Sequence, residues 1–166
     1  MKVLVVGGAG YIGSHVVKAL LRDGAEVTVF DNLSSGLRGN LQPGSVFRHG
    51  DILDARALDE VCSANKFDGV IHLAALKAAG ESMTMPERYS LHNITGTLNL
   101  LNAVAKHGIR HFVFSSTAAV YGDPHYQPMD EKHPTLPVNY YGYTKLAIEG
   151  FLDWYSRLKG VRYAAL

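Results

Sequence analysis

Cysteine is all but missing: Cys62 is the single thiol in 166 residues. One thiol builds neither an intrachain disulfide framework nor a multi-cysteine metal site, and it suits a reducing compartment. It stands beside Val61 in a helical stretch and reads as a small core residue. Long apolar runs are missing too, since none approaches the ~20 residues of a membrane span. The apolar stretch Val3–Val6 is too short for a signal peptide and runs straight into a glycine loop. The cytoplasm is the expected location. No sign of charge dominates: 16 basic and 15 acidic residues leave a formal net charge of +1 with His neutral. That balance excludes a polybasic nucleic-acid binder or membrane-surface binder. The eight histidines are scattered, and Gly108 breaks the helix between His107 and His111, so no metal site is expected. Internal repeats and low-complexity tracts are absent.

Proline is scarce and unevenly placed. Four of the six, Pro124, Pro128, Pro134 and Pro137, fall in residues 122–139, which can be neither helix nor central strand. What remains is a globular balance, 47% apolar and 19% charged, in a chain of one domain's length. Short β-branched runs recur at 2–6, 26–31, 45–48, 69–73, 111–115 and 161–166. Helical patterns lie between them at 11–22, 55–63, 87–107 and 141–159. Several of the short runs are continuously apolar, as in strands buried on both faces of a parallel sheet. Strand–helix alternation of this kind predicts an α/β fold with a doubly wound, Rossmann-like parallel sheet, strand order 3-2-1-4-5-6, in three αβα layers. The long proline-rich loop would start at the C-terminal edge of that sheet, where open α/β sheets bind ligands. In 87–107 the apolar positions Leu91, Ile94, Leu98, Leu101 and Ala105 repeat every three or four residues, and Gly108 comes next as a helix stop. In 141–159, Leu146, Phe151, Trp154, Tyr155 and Leu158 make more than one apolar stripe. The surplus faces either a partner subunit or the rest of a larger domain. The chain stops inside its last predicted strand, which suggests a truncated chain.

Glycine is the residue in excess, 17 in all, and Gly7, Gly8, Gly10 and Gly13 crowd one turn between the first strand and the first helix. In that context the spacing reads as a dinucleotide loop. Gly7 permits a tight turn, Gly10 lets the backbone approach a pyrophosphate, and Gly13 lets the helix pack closely. The helix N-terminus then offers N–H groups and partial positive charge to phosphates. Asp31 ends the second strand 18 residues after Gly13. A carboxylate there accepts from ribose hydroxyls and repels a 2′-phosphate, and the nearest arginine is Arg38, so NAD is favoured over NADP. The plainer alternative is a strand-end turn former.

Tyr141 and Lys145 stand four apart at a helix start, on one face. An ammonium beside a phenol favours the phenolate, and a phenol so tuned can take a proton from a sugar hydroxyl. Taken alone, the pair fits a surface tyrosine and a solvated lysine better, since this spacing occurs by chance in many proteins. Ser115, Ser116 and Thr117 supply three hydroxyls past the fifth strand, or simply a turn.

Together, the segments GGAGYIGSH, FDNLSSG, HGDI, IHLAALKAAGES, HNITGT, FVFSSTAAVYGD and YYGYTK resemble the extended short-chain dehydrogenase/reductase family over the whole chain. Within it they are similar to the branch that epimerises UDP-glucose and UDP-galactose at C4. The resemblance implies a pyrophosphate loop of Gly7, Gly10, Tyr11, Ile12 and Gly13. It implies adenosine contacts from Asp31, Asn32, Ser35, Gly36, Asp51 and Ile52. Leu73, Ala74, Ala75, Lys77, Asn93 and Ser115 would line the cofactor, with Tyr141 and Lys145. The implied catalytic set is Thr117, Tyr141 and Lys145. Related dehydratases place Asp-Glu after the threonine, and decarboxylating relatives carry Glu at one of those positions. Here Ala118 and Ala119 stand there, which disfavours both reactions. The implied reaction oxidises C4 of a UDP-sugar and re-reduces it from the opposite face, with no net redox change. Family members are about twice as long, so residues 1–166 would be the NAD-binding domain, the C-terminal substrate domain would be absent, and the chain alone would epimerise poorly. The other readings are an epimerase of another UDP-sugar (pentose, uronate or N-acetylhexosamine) and an incompetent NAD-binding fragment. A homodimer through helices 87–107 and 141–159 is also implied.

Overall fold

The computed structural model describes residues 1–166. Six strands, β1 (Lys2–Val6), β2 (Glu26–Asp31), β3 (Val46–His49), β4 (Gly69–His72), β5 (His111–Phe114) and β6 (Arg162–Ala165), form one sheet. All neighbours are parallel, in the order β3-β2-β1-β4-β5-β6. This is the expected doubly wound order. The helices are α1 (Tyr11–Arg22), α2 (Ala55–Ala64), α3 (Ala79–Ser82), α4 (Pro86–Tyr89), α5 (Gly96–Lys106) and α6 (Tyr140–Lys159). None is long and apolar enough to cross a membrane.

The lack of clean alternation in β1 has a direct cause, because both of its faces are covered. Val3 and Val5 join Val17, Val27 and Val29 in a small cluster that includes α1. Leu4 and Val6 join the main core with residues of α2, α5 and α6, among them Leu58, Leu100, Leu101, Ile148 and Leu152. Burying each of these large side chains contributes about 1.5–3 kcal/mol. The chain reverses its strand order where β1 pairs with β4, Val6 opposite His72, and open α/β sheets bind ligands outside the C-terminal strand ends at such a switch point.

Helix ends obey the sequence. Asp54 Oδ1 accepts from the N–H groups of Arg56 and Ala57 and starts α2. Asn139 Oδ1 accepts from Gly142 N–H at 2.8 Å and starts α6. Residues 122–139 form no helix or strand, but they are anchored by buried His133. Its Nε2 accepts from His125 N–H, which leaves Nδ1 to donate to the Pro134 carbonyl.

One expectation needs correction. The 87–107 segment is not one regular α-helix, and of Leu91, Ile94, Leu98, Leu101 and Ala105 only Leu101 is fully buried, with Ala105 packed against the same core. Residues Ser90–Thr95 form a π-helical turn between α4 and α5, which rotates the residues of α5 about the helix axis. The buried face is Asn93, Gly96, Thr97, Leu100, Leu101, Ala103 and Val104, while Leu91 is exposed. Asn93 and Thr97 occupy core positions because their polar atoms are hydrogen-bonded there. The last strand lies at a sheet edge, and all four residues of β6 are exposed.

Candidate active site

The turn after β1 is shaped by backbone crowding. Gly7 has φ +87° and donates its N–H to the Phe30 carbonyl. A Cβ on Gly7 would lie 2.6 Å from the Ala74 nitrogen, where the chain leaving β4 crosses. A Cβ on Gly13 would lie 2.1 Å from the Gly7 carbonyl oxygen. The close packing expected of Gly13 is therefore against the turn itself rather than the strand. Gly10 stands at the N-cap of α1, no side chain caps that end, and its first turn carries no acid. Tyr11 and Ile12 are exposed there. The positive end of α1 is left for an anion.

Asp31 closes this turn. Its Oδ2 accepts from Ala9 N–H at 3.0 Å and its Oδ1 from Leu33 N–H at 2.8 Å. Each oxygen keeps a lone pair for a ribose hydroxyl. Asn32 Nδ2 donates to Asp51 Oδ2 at 2.8 Å, joining the ends of β2 and β3. Gly36 is buried against Ala9 and Asp31, Ile52 is buried against Gly96, and Ser35 is exposed. The structure thus brings Asp31, Asn32, Gly36 and Asp51 to one edge beside the glycine turn.

Past β4, Leu73 and Ala74 donate their N–H groups to the Val6 carbonyl, so this segment runs beside the glycine turn. Ala75 is partly buried and Lys77 exposed. Asn93, on the π turn, clasps Leu76: its Oδ1 accepts the Leu76 N–H and its Nδ2 donates to the Leu76 carbonyl. The same Nδ2 donates to Thr144 Oγ1 at 3.1 Å. Asn93 is 1% exposed. Its donors are committed within the protein, so it ties the segment after β4 to α6 and has only an oxygen lone pair left for a ligand.

Tyr141 and Lys145 occupy the first two turns of α6. Lys145 is buried, its Nζ donates to the Ser115 carbonyl at 2.8 Å, and it lies 4.6 Å from the Phe114 ring centre and 6.0 Å from that of Tyr141. Burial pushes its ammonium down to about 8. Thr117 opens the short turn Ala118–Val120, which packs against α6, and its Oγ1 accepts from Ala119 N–H. Ser115, Thr117, Tyr141 and Lys145 are gathered at the C-terminal edge of β5.

The sequence reading missed the residues that hold this arrangement. The buried Ser82 Oγ accepts from Tyr141 N–H at 3.0 Å and donates to the Ala79 carbonyl. Tyr89 sits beneath, its hydroxyl against the Ala78 carbonyl and Glu81. His72 is fully buried with Nε2 on Thr97 Oγ1 at 2.9 Å. Burial, with help from the Lys145 charge, pushes its imidazole down to about 3, so it is neutral. No local pattern announces these contacts. No group of three or more His, Cys, Asp or Glu side chains is placed to hold a metal.

A dinucleotide-type turn facing, across the switch point, a tyrosine and a lysine one helical turn apart is the arrangement of the extended short-chain dehydrogenases/reductases. Residues 3–166 match the NAD dependent epimerase/dehydratase family, and the chain belongs to that family. It is 46% identical over 166 residues to a UDP-glucose 4-epimerase of Halalkalibacterium halodurans, covering all of this chain and 49% of that one. A crystal structure of UDP-glucose 4-epimerase from Brucella ovis in complex with NAD superposes with TM-score 0.96 at 41% identity, over 99% of this chain and 50% of that one. The Thermotoga maritima UDP-glucose 4-epimerase with UDP-glucose gives TM-score 0.96 at 38% identity, over 99% and 54%. The chain spans about half the length of the curated relatives it matches.

Proposed function

We propose that this chain is the NAD-binding, proton-transferring part of a UDP-hexose 4-epimerase acting on UDP-glucose and UDP-galactose. One observation carries the reading: Tyr141 and Lys145 sit across the switch point from an uncapped helix end and a buried aspartate, with alanines at 118 and 119. The residues present fit a dinucleotide, since the start of α1 has no side-chain cap and Asp31 keeps spare lone pairs. Gly7, Gly10, Tyr11, Ile12 and Gly13 take its pyrophosphate. Asp31, Asn32, Ser35, Gly36, Asp51 and Ile52 hold the adenosine, and Asp31 selects NAD over NADP. Leu73, Ala74, Ala75, Lys77, Asn93 and Ser115 border the nicotinamide half. NAD, when bound, supplies the hydride acceptor and donor for the sugar's C4.

The chain's own residues handle the proton. Tyr141 takes it from the C4 hydroxyl and later returns it. Lys145, largely cationic at pH 7, stabilises the phenolate and holds a ribose hydroxyl. Thr117 donates to the reacting oxygen. Without a carboxylate at 118 or 119, no side chain there is placed to eliminate water. Residues 1–166 act as the NAD-binding domain, and the remaining sugar-nucleotide contacts belong to the half of the relatives' length that this chain does not cover. Two further parts of the reading are a cytoplasmic location, suited to the single buried thiol, and a homodimer through helices 87–107 and 141–159. Leu91, Trp154 and Leu158 are about 49%, 57% and 69% exposed on those helices.

The test is dinucleotide content by acid release, followed by conversion of UDP-galactose. Tyr141→Phe keeps NAD and loses about 10²-fold or more of turnover. A chain that binds no dinucleotide, or a Tyr141→Phe protein that turns over like the wild type, contradicts the proposal. Coverage of only half the relatives favours one second reading, a dinucleotide-binding part without turnover of its own. NAD bound with no conversion by the wild-type chain would support it.

A further inference from the structure

Helix α6 meets the segment after β5 on three successive turns. At the first, a Cβ on Gly142 would come 2.6 Å from the Ala119 carbonyl oxygen, so the 118–120 turn lies directly on the helix. One turn on, Lys145 Nζ donates to the Ser115 carbonyl. One turn further, the Ser116 hydroxyl donates to the Glu149 carboxylate. The first contact is packing and the second belongs to the site already described. The third has no part in the proposed chemistry.

Glu149 is half-buried and forms no ion pair. Its charge is spent on a serine hydroxyl, and a hydrogen bond to an ionised acceptor is stronger than a neutral one. Its place is specific: Glu149 lies four residues past Lys145, and Ser116 directly precedes Thr117. Thr117's own hydroxyl is engaged only within its turn, by Ala119 N–H at 3.2 Å. Lys145, which donates to Ser115, has a second task in the proposed reaction, where its ammonium would also serve a ribose hydroxyl. The Ser116–Glu149 bond uses no group assigned to that reaction.

We propose that Glu149, acting through Ser116, is a positioning residue that sets the distance of the Thr117 hydroxyl from Tyr141 and Lys145. The inference rests on the reading of those three residues as the reacting set. Reacting groups lose rate steeply when displaced by an ångström, and this bond fixes the one member of the set that is not on α6.

The experiment compares Ser116→Ala, Glu149→Ala, Glu149→Gln and the double alanine variant in the full 166-residue chain. Amide hydrogen exchange is read across residues 116–119. Each alanine variant raises exchange there about tenfold while the amides of β1–β4 are unchanged. The double variant exchanges no faster than either single one. Glu149→Gln, whose amide oxygen still accepts from Ser116, stays within about threefold of wild type. In turnover of UDP-galactose the alanine variants lower kcat about tenfold with KM unchanged. Unchanged exchange in Glu149→Ala, or a glutamine variant that behaves like alanine, overturns the proposal whether or not the chain turns over. Tyr141→Phe is assayed beside them to separate the two ideas. If it loses turnover while Glu149→Ala keeps wild-type kcat, the positioning role falls and the epimerase reading stands. If Tyr141→Phe keeps turnover, the epimerase reading falls, and the role of Glu149 falls with it.

Discussion

The two sides of the switch point are built by different means. The dinucleotide side, from β1 to the end of β3, is shaped mainly by backbone. Gly7 and Gly13 bring main-chain atoms so close that a Cβ would stand 2.6 Å and 2.1 Å from its neighbours. The catalytic side is shaped by side chains that reach far along the sequence: Ser82 to Tyr141, Asn93 to Leu76 and Thr144, Ser116 to Glu149. The first side depends most on the absence of added atoms and the second most on hydrogen-bonding groups, though neither is pure. Gly142 is crowded on the second side, and on the first Asp31 reaches Ala9 and Asn32 reaches Asp51.

The comparison predicts a ranking. Gly13→Ala carries the largest cost, because nothing flexible lies in the way and backbone must move. Urea unfolding is expected to show a loss of at least about 3 kcal/mol, with NAD binding lost. Asn93→Ala comes next. It strands the Leu76 N–H and carbonyl, and a loss of about 2–3 kcal/mol is expected by the same measurement. Ser82→Ala leaves the Tyr141 N–H without an acceptor, a loss of about 1–2 kcal/mol. Gly10→Ala belongs to the crowded side but would place its Cβ 3.3 Å from the Gly7 oxygen. It is expected to cost less than about 1 kcal/mol. If Gly10→Ala proved as damaging as Gly13→Ala, backbone crowding would not be the governing difference.

Lys145 adds a pH dependence to the catalytic side alone. Burial depresses its folded pKa to about 8 from the ordinary 10.5. Between those values the unfolded chain holds more of this proton than the folded chain, so stability rises with pH. The penalty is complete below about 8 and gone above 10.5. Relative to Lys145→Met, the wild-type chain should therefore gain stability across that window, read by unfolding at successive pH values. A difference that is flat or of opposite slope would show that the ammonium is not desolvated.

The same contrast explains what could be read from residues alone. Backbone crowding demands glycine at Gly7 and Gly13, so that turn was visible, as was Asp31 at its strand end. Every strand lies within one residue of its expected bounds at each end; in the central strands β1, β2 and β4 burial on both faces favours unbroken apolar runs. Tyr141 and Lys145 were visible because one helical turn fixes their spacing. Ser82, Asn93's clasp and Glu149 were not, since partners 17 to 59 positions apart leave no local period. The π turn at Ser90–Thr95 hid the true inner face of α5 by rotating it. The exposure of β6 follows from its place at the sheet edge.

The central claim is that the crevice beside Gly7 and Asp31 binds NAD. Titrating the 15N-labelled chain with NAD, and separately with NADP, tests it most directly. The account predicts saturable shifts at Gly7–Gly13, Asp31–Gly36 and Asp51–Ile52, spreading to Leu73–Lys77 and Ser115, with weaker binding of NADP. Shifts confined to another surface, or none at millimolar NAD, would contradict it.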